Sequence, residues 1–132
     1  NKLNFWGHGG NFTDAQIKVP LVIHWPGKKH ANIEYMTSHL DLVPTLLPEV
    51  LGCENPTEDY SVGMSIWKEA GRRNWVYSKG WSRDAFVEPN RIVLINAAGA
   101  LEFLDKTYRP SKDKTIPAYI PEVLKENSRY LK

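Results

Sequence analysis

Val19-Pro20-Leu21-Val22-Ile23-His24-Trp25-Pro26-Gly27 is the stretch on which the reading of the fold turns. A compact apolar run from Val19 to Trp25, closed by Pro26-Gly27, predicts a buried strand ending in a turn. Upstream, residues 1–18 read as a glycine-rich polar loop, with Gly7-His8-Gly9-Gly10-Asn11-Phe12 at its centre, followed by a short turn or helix. Downstream, Thr37 to Gly52 carries the helix signal, with Asp41 as N-cap and Gly52 as the stop. Pro44 then falls at the third helical position, where its missing N–H would have had no partner. Pro48, one turn later, is expected to kink or split the helix.

Beyond this block, Tyr60 to Gly71 is a loop leading into a short amphipathic segment around Ile66-Trp67. Three candidate strands follow at short spacing: Asn74 to Trp81, Arg91 to Asn96 and Ala100 to Leu104. They predict an antiparallel meander, with Ala97-Ala98-Gly99 imposing a hairpin between the last two. A lysine-rich loop after Pro110 leads to a helix from about Pro121. Its Ile120, Val123, Leu124, Asn127 and Leu131 share one face, which is expected to cover the meander. The fold class is α/β, or α+β by local topology, with a first part at 1–70 and a small antiparallel-sheet subdomain with a closing helix at 71–132.

Composition narrows function mainly by exclusion. The 132 residues are 42% hydrophobic and 24% charged, within the range of one globular domain. A net charge of +2 lacks the basic excess of nucleic-acid-binding proteins. The single cysteine, Cys53, cannot form an internal disulfide and leaves the redox compartment open. The apolar runs are far shorter than the ~20 residues that cross a bilayer. The sequence opens at Asn1-Lys2-Leu3 without an initiating Met, so a piece of a longer protein is expected.

Chemistry points to the glycine loop. Glycines let backbone approach a ligand closely, and an imidazole among them can donate to an anionic oxygen or move a proton near neutral pH. A histidine in such a loop is also commonly an ordinary surface side chain, so context has to decide. The other histidines read as structural or solvated: His24 as a hydrogen-bonded core or edge residue, His30 as surface, and His39 without zinc-ligand spacing to His8 or His24. No metal site is assigned within the sequence. Trp75, Trp81 and Phe86 invite a sugar- or lipid-binding reading against a plain core role. Lys28-Lys29 and Arg72-Arg73 could touch anionic headgroups, with solvated surface as the simpler use.

Three ordered motifs supply the context: Gly7-His8-Gly9, then Lys18-Val19-Pro20-Leu21 running into Trp25-Pro26-Gly27, then Asp41-Leu42-Val43-Pro44-Thr45-Leu46-Leu47 with Gly52. The string resembles the C-terminal part of sulfatase/alkaline-phosphatase-superfamily domains. Within the superfamily, Trp6-Gly7-His8-Gly9 and Asn11-Phe12-Thr13-Asp14-Ala15-Gln16 are most similar to the YejM-type family of sulfatase-like proteins. Those are inner-membrane proteins of Gram-negative bacteria with a periplasmic domain. The resemblance is strong over residues 1–65 and thinner beyond.

The resemblance implies a partial sulfatase-like fold in which one or two strands and a helix belong to a large sheet. It implies a hydrolase or transferase of phosphate or sulfate esters with a metal-activated nucleophile. That nucleophile, its metal ligands and the divalent metal would lie outside this chain. His8 would be catalytic, standing where sulfatases keep a lysine, and Gly7, Gly9 and Asn11 would line the substrate. The alternative is a non-catalytic periplasmic lipid-sensing or protein-binding module of a regulator of lipopolysaccharide assembly. Implied partners are the N-terminal part of the same domain, an anionic lipid or lipopolysaccharide-related ligand, and a second copy paired through an exposed sheet edge.

Overall fold

A computed structural model describes residues 9–129. The chain forms two compact units: residues up to Tyr35 with Tyr77–Asp113, and Met36–Val76 with the residues from Lys114 onward. These units interleave along the chain. Together they hold mixed helices, a small antiparallel sheet and a C-terminal helix, in keeping with the expected class.

The first unit holds a four-stranded antiparallel meander: β1 (Val76–Ser78), β2 (Arg83–Val87), β3 (Arg91–Asn96) and β4 (Leu101–Asp105), in that spatial order. Val76, the first residue of β1, lies at the boundary with the second unit. Register pairs Arg83 with Asn96, Ala85 with Leu94 and Leu94 with Glu102 on one face, and Phe86 with Val93 and Val93 with Phe103 on the other. Phe86, Ile92, Val93 and Leu94 are fully buried, each contributing roughly 1.5–3 kcal/mol of hydrophobic stabilisation.

The β3–β4 hairpin is the expected one. Asn96 Oδ1 accepts from the N–H groups of Ala98 and Ala100, and Gly99 takes the left-handed conformation the turn needs, at φ 79°. Strand β2 was not expected. Its Arg-Asp opening masks an Ala-Phe-Val core segment that only its pairing with β3 reveals.

The expected strand at Val19–Trp25 does not form. Residues 18–25 are irregular, although the turn at Pro26-Gly27 is present, closed by Lys28 N–H to Trp25 O at 3.2 Å. A strand exists through the hydrogen bonds of a neighbour, and among the described residues no strand pairs with this segment. Val19, Leu21 and Val22 are therefore exposed, Val22 to 90%.

The second unit is built around α2 (Leu42–Leu51), entered through a 3-10 turn at His39–Asp41 and stopped at Gly52, which is left-handed at φ 64°. Gly52 N–H reaches Pro48 O at 3.1 Å and Cys53 N–H reaches Leu47 O at 3.3 Å, so the terminal carbonyls are satisfied. Pro48 does not split the helix; it forfeits one internal bond and the ten residues stay helical.

A carboxylate organises this unit. Asp41 is completely buried, and its two oxygens accept from Ser38 N–H (2.9 Å), Met64 N–H (2.9 Å), Arg72 (3.0 Å) and Arg73 (2.8 Å). Thr45, one turn on, donates its hydroxyl to Asp41 O and accepts Ile66 N–H at 2.7 Å. Gly63 allows the returning loop to press on the 3-10 turn that enters α2, because a Cβ there would lie 1.9 Å from Leu40 O.

Arg72 and Arg73 are thus not surface cations: their side chains are 5% and 10% exposed, drawn inward by Asp41. Arg73 also lies over Trp75, 5.6 Å from its ring, and Trp75 stacks on Tyr119 with centroids 4.4 Å apart. That stack ties helix α3 (Tyr119–Ser128) to the second unit, and Arg129 adds a contact to Glu58 O.

Candidate functional site

His8 and Gly7, the expected catalytic residue and one of its substrate-binding neighbours, lie outside the described residues. The loop that follows them is defined from Gly9 onward. Gly9 (φ 92°) and Gly10 (φ 80°) take positive angles that side chains resist. Among the described residues, a Cβ built on either would meet nothing within 4 Å.

Three buried residues anchor the loop from behind: Asn11, Phe12 and Thr13. Asn11 Oδ1 accepts from both the N–H (3.2 Å) and the hydroxyl (2.7 Å) of Thr13, a local turn built by the side chain. Thr13 O in turn accepts from Gln16 and Ile17 N–H, opening the one-turn helix α1 (Asp14–Ile17). Asn11, expected among the substrate-binding residues, uses its side-chain oxygen to shape the loop. Gly9 is exposed, its N–H facing Gln16 Oε1 at 3.5 Å.

The turn after β4 grips the same segment, a feature not read from the sequence. Phe12 N–H donates to the Tyr108 hydroxyl oxygen at 3.3 Å, and Lys106 Nζ lies 2.7 Å from Asp14 Oδ1. Tyr108 is the only non-glycine residue with positive φ among the described residues, at 66°. Asp105 sustains that geometry, since its Oδ1 accepts from Thr107 N–H, the Thr107 hydroxyl and Arg109 N–H. Burial pushes the Tyr108 phenol above its ordinary range, against the opposing effect of Phe12 N–H. The Asp14 carboxyl is held below its ordinary value first by Lys106 and then by Lys18, against partial desolvation.

A second support comes from the turn between β1 and β2. Gly80 lies so close to Phe12 and Arg83 that a Cβ on it would be 2.5 Å from Arg83 O and 3.0 Å from Phe12 Cζ. The available signal for these supports was local: an Asp-Lys-Thr-Tyr-Arg turn and a Lys-Gly-Trp-Ser turn, each with turn chemistry but no hint of its distant partner.

The remaining histidines are dispersed. His24, expected in the core or at an edge, is exposed, as are His30 and His39. Among the described residues no group of three or more His, Cys, Asp or Glu could hold a metal ion. Among the same residues no helix is long and apolar enough to cross a membrane.

The open glycine backbone, anchored from behind and followed by the Pro-Gly turn and the Asp41 helix, reproduces the motif order from which the family was read. Residues 1–51 match the sulfatase family model. The chain is a sulfatase-like sequence.

Its relatives are inner-membrane proteins in two cases. It is 31% identical over 122 residues to the inner membrane protein YejM of Salmonella typhimurium, and equally to that of Salmonella typhi, covering 92% of this chain and 21% of the relative. It is 26% identical over 109 residues to an uncharacterized protein of Haemophilus influenzae, covering 82% of this chain and 18% of that protein. The chain thus spans about a fifth of the length of the relatives it matches.

Proposed function

We propose that this chain supplies one wall of a site that hydrolyses or transfers phosphate or sulfate esters, with His8 donating to an anionic oxygen of the ester. The observation that carries the reading is the build of the loop. Two glycines follow His8 directly, while Asn11, Phe12 and Thr13 are buried, Phe12 is held by Tyr108 and abuts Gly80, and Asp14 pairs with Lys106. A donor tethered to an anchored loop reorganises little when charge develops on the ester, which is how electrostatic catalysis gains its effect. The nucleophile, its ligands and a divalent metal come from outside this chain in this reading, and Gly7 and Gly9 give the substrate room.

The remainder of the same protein is the partner that completes the site. Two surfaces support this: the unpaired apolar residues Val19, Leu21 and Val22, and the outward face of α2 with Val43, Leu46, Val50 and Leu51. The same surfaces favour a second reading, a non-catalytic module that docks a protein, a lipopolysaccharide-related lipid or a second copy of itself. In both readings the parent protein sits in the inner membrane with this part in the periplasm.

The test is hydrolysis of p-nitrophenyl phosphate and p-nitrophenyl sulfate by the intact protein, with and without added divalent metal, alongside His8→Ala. The ester reading expects metal-dependent turnover that falls about 10²-fold or more in the variant, the cost of losing one oxyanion donor. Turnover unchanged in His8→Ala removes the histidine from the mechanism. No turnover under any metal, with a folded protein, leaves the docking module as the function.

A further inference from the structure

Three aromatics around the first meander strands could serve recognition or the core, and the structure separates them. Phe86 is fully buried and Trp75 is stacked on Tyr119. Trp81 is neither: its exposure is 104% of the reference value, the largest of any large apolar side chain among the described residues.

That exposure is built into the turn. Asp84 receives the Tyr77 hydroxyl on one oxygen (2.5 Å) and Gly80 N–H on the other (3.3 Å), which fixes the residue before the indole. Burial and the Asp84 charge hold the Tyr77 phenol well above its ordinary range, so this brace stays intact through neutral pH. Gly80 itself is wedged against Phe12 and Arg83 O, which holds the turn in place.

Immediately beyond, at Ser82, opens a groove of about 420 Å³ whose walls include Arg83, Asn96, Leu101 and Glu102. Arg83, Asn96 and Glu102 share one sheet face by register. Arg83 and Glu102 neutralise each other across it at 2.9 Å, both half-exposed. Asn96 has its carboxamide oxygen held by Ala98 and Ala100, so its NH₂ group is what remains to donate.

We infer that this groove and Trp81 form a binding site for a neutral saccharide chain. A pyranose ring has one apolar C–H face and a rim of hydroxyls, and the site offers the complement of each. The rigid indole gives a flat apolar surface with little ordering cost, and the paired Arg83 and Glu102 with Asn96 give fixed donors and acceptors. The mutual neutralisation of the two charges selects a neutral polyol over an anion. The volume lies at the small end of ligand pockets, which suits one or two sugar rings.

The experiment titrates cello-, malto- and chito-oligosaccharides into the intact protein. It follows the Trp81 indole and the backbone amides of Ser82, Arg83, Asn96 and Glu102 by NMR. At least one sugar is expected to shift these signals saturably at millimolar concentration. Trp81→Ala should weaken that binding about tenfold and Trp81→Phe less, with unchanged thermal midpoints because the side chain packs on nothing. Three results overturn the site: no shift with any of these sugars, binding unaltered in Trp81→Ala, or a Trp81 shielded from acrylamide quenching in the intact protein. The last would give this face to polypeptide rather than sugar.

Discussion

The two compact units are stabilised by opposite means. In the first, Phe86, Ile92, Val93 and Leu94 form a core of hydrocarbon cross-strand pairs spread over two strands. In the second, the fully buried groups include Asp41 and Thr45, and one carboxylate receives two backbone N–H groups and two guanidinium groups. A core of many small apolar terms degrades gradually when one member changes. A hub in which one charge serves four donors fails at once, because two buried guanidinium groups lose their anion and two backbone N–H groups lose their acceptor together.

The largest effect expected from this contrast is at Asp41. Asp41→Asn keeps the shape but leaves two buried arginines facing no anion, and should cost roughly 3–5 kcal/mol. Hydrogen exchange should show protection lost in Leu42–Leu51 with the meander amides little changed. Uniform loss across both units would mean that they unfold as one and that the contrast carries no thermodynamic weight.

A smaller effect is expected in the first unit, where support of the glycine loop is shared among several contacts. Tyr108→Phe removes the acceptor of Phe12 N–H and should cost about 0.5–1.5 kcal/mol in urea unfolding, with faster exchange of the Phe12 amide. A loss as large as that at Asp41 would make this turn a second hub.

The smallest effect is pH dependence through Asp14. Its folded carboxyl titrates below the ordinary value of 3.8, so its ion pairs with Lys106 and Lys18 stabilise the fold above that value. The contribution is lost as pH falls from 3.8 through the lower folded value. With the side chain 43% exposed, solvent screening holds it under about 1 kcal/mol. Acid unfolding of Asp14→Asn compared with the parent should differ only above this window, and equal stability at pH 7 would show the pairs to be inert.

Legibility followed the range of the interactions. The α2 helix, its stop at Gly52, strand β3 and the Ala97-Ala98-Gly99 hairpin were readable because spacing, turn chemistry and caps act over a few residues. Strand β2 was hidden because Arg83 and Asp84 break the apolar pattern, and only Asn96 and Ile95 opposite them explain their place. Arg72 and Arg73 read as surface because nothing near them in sequence announces a carboxylate 31 residues away. For the candidate site, the glycines and the Asn11 turn could be read locally. The grip of Tyr108 on Phe12 spans 96 positions and could not.

By itself the sequence determined the family likeness, the order of the glycine loop, Pro-Gly turn and Asp41 helix, and the hairpin that ends the sheet. All of these rest on local spacing and backbone preference. Only the tertiary structure decided that no strand pairs with Val19–Trp25 among the described residues, that Asp41 gathers two arginines and that Trp81 faces solvent. Pairing, charge burial and exposure are properties of neighbours in space, and the chain order does not name those neighbours.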